Sequence, residues 1–165
     1  MGTTHALLDS PLGELTLVAS DGAISGVYFA GQRNRPRPGR LGRLAPADFT
    51  ETARQLGEYF AGERTRFELD LDLHGDPFDL RVWALVSAIP YGQTRTYGQL
   101  ARELGDAALA PAVGVANARN RLAILVPCHR VVGANGKLTG YAGGLARKQE
   151  LLALEASGAL AGRLF

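Results

Sequence analysis

His74-Gly75-Asp76-Pro77 is the stretch that divides this chain. Residues before it alternate as strands do, and residues after it recur at helical spacing. Asp-Pro is itself a helix start, an N-cap acceptor followed by a ring that suits the first turn. Directly upstream, Arg66 to Leu73 alternates strictly with its apolar residues on one face, which predicts a strand. Further back, Ala6-Leu7-Leu8, Glu14 to Ala19 and Ile24 to Phe29 are separated by the turn clusters Asp9 to Gly13 and Ser20-Asp21-Gly22. Three short runs with such turns predict an antiparallel meander. Phe49, Ala53, Leu56 and Phe60 then recur as one face of a helix, with Asp48 as the expected N-cap and Gly62 as the stop. Between meander and helix, Gln32 to Pro46 carries Arg33, Arg35, Arg37, Arg40 and Arg43 among prolines and glycines. That density predicts a loop, either a solvated connector or a basic arm that touches phosphates. Residues 1–75 are therefore expected to form an α/β domain.

Downstream the pattern is helical. A helix over roughly 77–88 turns Phe78, Val82, Leu85, Val86 and Ile89 inward, with Trp83 nearby, and Ile89-Pro90-Tyr91-Gly92 ends it. Thr96 to Gly105 reads as a capped helix closed by glycine, and Ala110 to Arg119 as a second helix with proline in its first turn. The pair fits a helix-turn-helix, a pattern that any helical bundle also produces. Asn135-Gly136 between Arg130–Gly133 and Lys137–Tyr141 predicts a hairpin. Gly143-Gly144 leads into a terminal helix carrying Leu145, Leu151, Leu152, Leu154 and Glu155. Residues 76–165 are expected to form a second, mostly helical domain.

At 165 residues and 46% hydrophobic content the chain can bury a core. No run approaches the ~18 apolar residues of a membrane span, and Met1-Gly2-Thr3-Thr4-His5 has no secretory pattern. With one cysteine, this points to the reducing cytoplasm. Residues 1–75 hold 8 Lys/Arg against 10 Asp/Glu, and residues 76–165 hold 10 against 6, so the basic excess lies in the second half. A polyanionic partner would explain that, as would a solvated basic face. His5 and His74 have no partner histidines or cysteines at ligand spacing, and the chain cannot readily supply the roughly four ligands of a zinc site, so no metal is expected.

The lone thiol stands in Leu125-Val126-Pro127-Cys128-His129-Arg130-Val131-Val132. It is a nucleophile, a redox sensor or a buried inert side chain. Neighbours on an extended chain point opposite ways, so adjacency alone does not pair Cys128 with His129. Asn120 lies eight residues earlier, where its amide could brace a thiolate loop, and Glu155 could orient His129. Residues 112–118 are almost all small. Small side chains suit a helix entering a minor groove only ~6 Å wide, and they equally suit close helix packing.

In these residues the chain resembles the O6-alkylguanine-DNA alkyltransferases, the methylated-DNA–protein-cysteine methyltransferases. The resemblance is carried by Val126-Pro127-Cys128-His129-Arg130-Val131-Val132-Gly133, by Gly136 to Tyr141, and by Gly143-Gly144-Leu145. Ile89-Pro90-Tyr91-Gly92, Thr96 to Ala101 and Ala116-Asn117-Ala118-Arg119-Asn120 extend it across residues 76–165; the first 75 match in architecture. It implies a ribonuclease H-like antiparallel sheet with a helix, followed by a helical domain with a helix-turn-helix and a short hairpin. It also implies direct, irreversible, single-use transfer of an alkyl group from O6-alkylguanine in double-stranded DNA to Cys128, by a cytoplasmic monomer without a cofactor. Several copies could line one DNA. The damaged base would be flipped out through the minor groove. His129 would take the thiol proton through a water, Glu155 would hold His129, Asn120 would brace the turn, and Tyr97 would donate to the base. The carbonyls of Cys128 and Val131 would read the exocyclic amine, and Tyr141-Ala142-Gly143 would close over it. The helix bearing Pro111, Ala112, Gly114, Asn117 and Arg119 would enter the groove.

Three positions depart from the family pattern. Pro111 stands where an arginine usually fills the space left by the flipped base, so either extrusion is weakened or Arg119 or Arg121 substitutes. Ala142 replaces a frequent serine, leaving backbone N–H groups to hold O6, and Arg121 replaces a frequent proline. Two competing readings are a damage-binding module without transfer and a cysteine hydrolase.

Overall fold

A computed structural model describes residues 2–158. Strands β1 (Thr3–Leu8), β2 (Leu15–Ser20) and β3 (Ala23–Phe29) form the expected antiparallel meander. A bulge at Val18/Ala19 against β3 adds local twist. The arginine-bearing segment is less of a loop than its composition suggests. Within it Pro38–Arg40 makes one tight turn, and β4 (Arg43–Leu44) pairs parallel with β1, giving the order β3-β2-β1-β4. Helix α1 (Thr50–Phe60) follows a short turn over Pro46–Phe49. Asp48 lies inside that turn and does not cap α1, whose N-cap position is Phe49. Gly62 ends the element with φ +77°, a conformation open mainly to glycine.

The strand expected over Arg66–Leu73 is reduced to a single bridge, Leu71 to Ile24. The outer edge of β3 is shared. Ile24 exchanges hydrogen bonds with Asp70 and Asp72, while Val27 does so with Arg121 and Ala123. No edge remains for a longer ladder. The Gln55 amide on α1 instead accepts from the Glu68 N–H at 2.9 Å and donates to its carbonyl at 3.2 Å, as a neighbouring strand would. The alternation still does its packing work, because Phe67, Leu69 and Leu71 lie half-buried against the core.

Helix α2 (Pro77–Ser87) is capped by the Asp76 carboxylate, which accepts from the Asp79 N–H at 2.8 Å. After β5 (Arg95–Thr96), α3 (Tyr97–Glu103) opens on a capping box between Thr96 and Gln99. Helix α4 (Ala110–Ala118) has proline in its first turn. The Trp83 indole N–H reaches from α2 to the Ala116 carbonyl of α4 at 2.9 Å, which fixes the helix-turn-helix on the core.

The predicted hairpin forms only its turn. Asn135 and Gly136 take φ of 60° and 75°, and the Gly133 N–H reaches the Lys137 carbonyl. The flanking runs do not pair as strands. Instead β6 (Val131–Val132) pairs parallel with β5. The Lys148 ammonium on α5 (Leu145–Ser157) donates to the carbonyls of Val131 at 2.7 Å and Thr139 at 2.9 Å, joining the segments that a ladder would have joined. One hydrophobic core runs through both halves, from Leu15, Val27, Phe29 and Leu56 to Val82, Val113, Val126 and Leu154.

Candidate active site

The stretch from Asn120 to Arg130 carries the thiol, and its backbone is tightly folded. Ile124 sits at φ +72°, an unfavourable conformation for a β-branched residue. Pro127 then turns the chain into a tight helical turn over Cys128–Arg130. In such a turn successive side chains diverge by about 120°. Cys128 thus faces one way, while His129 and Arg130 reach Glu155 on α5.

Asn120 holds this arrangement together. Its Nδ2 donates to the Val126 carbonyl at 2.9 Å and the Leu122 carbonyl at 3.4 Å, and it lies 3.1 Å from Cys128 Sγ. Its Oδ1 accepts from the Leu122 N–H at 2.9 Å. Behind the thiol, His129 Nε2 lies 2.7 Å from Glu155 Oε2, and Arg130 meets both oxygens of the same carboxylate at 2.7 and 3.0 Å. The Tyr59 hydroxyl of α1 donates to Oε2 at 2.5 Å.

The electrostatics follow from burial and pairing. Burial would push the Glu155 carboxyl up, but hydrogen bonds and charge from His129 and Arg130 bring it down to about 2. An ionised Glu155 accepts from Nε2–H, so Nδ1 carries the imidazole lone pair. Burial lowers His129 below its ordinary value, which keeps it neutral near pH 7. Burial also raises the Cys128 thiol, against the opposing pull of the Asn120 amide and the Lys148 charge. At rest the sulfur therefore keeps its proton, and transfer chemistry needs a base. His129 Nδ1 is buried and has no hydrogen-bond partner within the protein.

Cys128 is 5% exposed and opens onto a cleft of about 730 Å³. Tyr97, Gly114, Asn117, Tyr141, Ala142 and Gly143 line the same cleft, so seven of the expected site residues meet in one place. The Asn117 amide donates to the Cys128 carbonyl at 3.2 Å, leaving its buried Oδ1 without a partner. The Tyr97 hydroxyl accepts from Thr139 at 3.2 Å. Val131 is buried and does not line the cleft, and its carbonyl is held by Lys148.

The remaining expected residues stand elsewhere. Pro111 and Ala112 lie exposed at the start of α4, and Arg119 lies past its other end. A nine-residue helix is about 12–14 Å long, so Arg119 cannot occupy the place of Pro111. It pairs instead with Asp79 at 3.2 Å. Arg121 lies by Tyr28, His74 and Trp83 along another groove. Both arginines therefore stand apart from Pro111 at the start of α4.

Several site residues were not expected from sequence. Lys148 sits on the buried stripe of α5 with Leu151 and Glu155, a spacing that marks it in hindsight. Phe29 and Arg147 brace the cleft's roof. A Cβ on Gly143 would come within 2.6 Å of the Phe29 ring, and the Arg147 guanidinium, 4.9 Å above that ring, donates to the carbonyls of Leu12, Ala30 and Gly143.

Comparison with known proteins gives this site a context. Residues 77–157 match the family profile described as "6-O-methylguanine DNA methyltransferase, DNA binding domain", and residues 4–73 match its "ribonuclease-like domain". The methylated-DNA–protein-cysteine methyltransferase of Mycolicibacterium paratuberculosis is 51% identical over 92% of this chain and 91% of its own length. That of Methanosarcina acetivorans is 44% identical over 93% and 98%. A crystal structure of Mycobacterium tuberculosis OGT in complex with DNA superposes with a TM-score of 0.88 at 46% identity, covering 96% of both chains. On these matches, and on a cleft built around one buried thiol, the chain belongs to the methylated-DNA–protein-cysteine methyltransferase family.

Proposed function

We propose that this protein repairs O6-alkylguanine in double-stranded DNA by moving the alkyl group onto Cys128, once per molecule. The observation that carries the proposal is the placement of the Cys128 thiol at the cleft with a carboxylate-oriented imidazole in the adjoining residue. In the step, Sγ attacks the alkyl carbon, the carbon–O6 bond breaks, and its electron pair stays on guanine O6. His129 Nδ1 takes the thiol proton through a water, and Tyr97 donates toward the base to stabilise its developing charge. The thioether product has no easy reverse path, so the protein is consumed.

The other roles follow from placement. The second lone pairs of the Cys128 and Val131 carbonyls read the exocyclic amine, since Asn117 and Lys148 occupy the first. Tyr141, Ala142 and Gly143 cover the base, and the exposed face of α4, from Pro111 and Ala112 through Gly114 to Arg119, meets the groove. Reaching O6 requires the base to leave the stack. Residues 1–75 act as a scaffold and residues 76–165 carry the chemistry; of the latter, 159–165 lie outside the described residues. No helix among the described residues is long and apolar enough to cross a membrane. A single cysteine suits a cytoplasmic monomer, with or without further copies along the DNA.

Incubation with a duplex oligonucleotide carrying O6-methylguanine should add one methyl group to the intact mass, mapped to the peptide containing Cys128. Tight binding without a mass gain would favour a damage sensor, and ester turnover with neither would favour a hydrolase. A second measurement addresses position 111. Pro111→Arg should speed repair of duplex DNA on the order of tenfold, about 1.4 kcal/mol of the few that unstacking costs. Repair of the same base in a single strand should be unchanged. Equal duplex rates would show that Pro111 does not limit extrusion.

A further inference from the structure

Glu155 is held from both halves of the chain. His129 and Arg130 approach it from the active-site turn. From α1, 96 residues away in sequence, comes Tyr59. Its hydroxyl is buried and donates to Oε2, the same oxygen that receives His129 Nε2. The ring is locked by edge and tilted contacts with Phe60, Phe67 and Tyr91, at centroid distances of 5.4–6.2 Å. We infer that Tyr59 is a positioning residue for alkyl transfer, setting through Glu155 the orientation and basicity of His129. This inference rests on the proposed role of His129 as the base.

Tyr59 and His129 compete for one oxygen of Glu155. A carboxylate oxygen that accepts a short hydrogen bond from a phenol has less charge to share with an imidazole. Tyr59 thereby weakens the pull of Glu155 on the His129 proton and keeps the imidazole neutral and available. Tyr59 is itself held protonated by its burial and by the Glu155 charge, so it stays a donor throughout the working pH range. Of the other groups facing the pair, Lys148 is itself titratable, its ammonium lowered by burial to about 8, above the acid limb that His129 sets. Arg130 is bidentate on Glu155, Lys148 adds positive charge near His129, and Tyr91 directs its hydroxyl to the Leu154 carbonyl at 3.5 Å. Tyr59 is thus the neutral donor whose removal changes the carboxylate while leaving every charge in place.

Tyr59→Phe keeps the ring and removes one donor. Without it Glu155 holds the imidazolium more strongly, so His129 becomes more basic. The acid limb of the methyl-transfer rate should move up by about half to one pH unit, and the rate near that limb should fall several-fold. Proton NMR of the imidazole in the DNA-free protein should show the same upward shift, a reading that needs no repair activity. Tyr91→Phe, which removes a neighbouring hydroxyl bonded elsewhere, should leave both measurements at wild-type values. Unchanged His129 titration in Tyr59→Phe, or an equal shift in Tyr91→Phe, would overturn the assignment. Failure of the wild-type protein to transfer methyl would instead count against His129 as the base, and the NMR result would stand apart from it.

Discussion

Glu155→Gln is expected to destabilise the protein by about 3–5 kcal/mol, the range for breaking a buried ion pair by removing one partner. The same change should slow methyl transfer by at least about a hundredfold, as loss of an oriented general base does. The carboxylate receives donors from His129, Arg130 and Tyr59 and is itself buried. A glutamine can offer an oxygen to only one side. Its NH₂ would face a donor on the other, and the buried Arg130 guanidinium would lose its counter-charge. The pH dependence separates this from a packing defect. With its carboxyl held at about 2, Glu155 contributes stability that is present above its ordinary value of 4.5 and is lost as pH falls towards 2. The shift of roughly two and a half units corresponds to about 3 kcal/mol. His129 acts in the same direction, since its buried neutral form resists protonation while the unfolded chain takes up a proton below about 6.5. Urea unfolding from pH 7 down to pH 3 should therefore show a steep acid decline in the wild type and a shallower one in Glu155→Gln. Equal stability of the two proteins at pH 7 would contradict the account.

Asn120→Ala should cost about 2–4 kcal/mol, several hydrogen bonds of about 1 kcal/mol each plus the burial of an orphaned N–H. The Leu122 N–H depends on this side chain, while the Val126 carbonyl would keep the Cys128 N–H at 2.7 Å. The cost is raised by location, because Ile124 already sits in an unfavourable conformation that its surroundings must enforce. Chemistry should suffer as well. With the amide gone from beside Sγ, the thiol should titrate higher than in the wild type and react more slowly with iodoacetamide at any pH below that titration. Asn120→Asp gives the sharper comparison, since it keeps the shape and sets a carboxylate against the sulfur. If alkylation rates in both variants match the wild type, the amide is a structural brace alone.

The legible parts of this fold were those in which a residue acts on its near neighbours. The Asp76 cap, the Thr96–Gln99 box and the Asn135-Gly136 turn are decided within four residues, and each forms where the pattern puts it. What failed depends on partners far along the chain. The alternation at Arg66–Leu73 holds as a burial pattern as far as Leu71 but not as a ladder, because the Arg121–Ala123 segment claims part of the same edge. On α1 the buried face is Thr52, Gln55, Leu56 and Tyr59, turned from the Phe49-Ala53-Leu56-Phe60 stripe. Apolar spacing alone could not show this, since Gln55 and Tyr59 face inward to serve Glu68 and Glu155. In the site, Cys128, Asn120, His129 and Glu155 are near in sequence or carried by a dense motif. Tyr59, Phe29 and Arg147 are contributed by tertiary contact, and nothing local marks them.

The roof of the cleft has its abutment in another part of the chain. Phe29 closes on Gly143 with no space for a side chain, and Arg147 ties that loop to the turns at Leu12 and Ala30. Residues 140–144 are therefore not a portable cassette. Transplanting them from a relative with a different side chain at position 29 moves a ceiling without the wall that sets its height. The height of the cleft over Cys128 is set partly by Phe29, at the end of a strand in the first half of the chain.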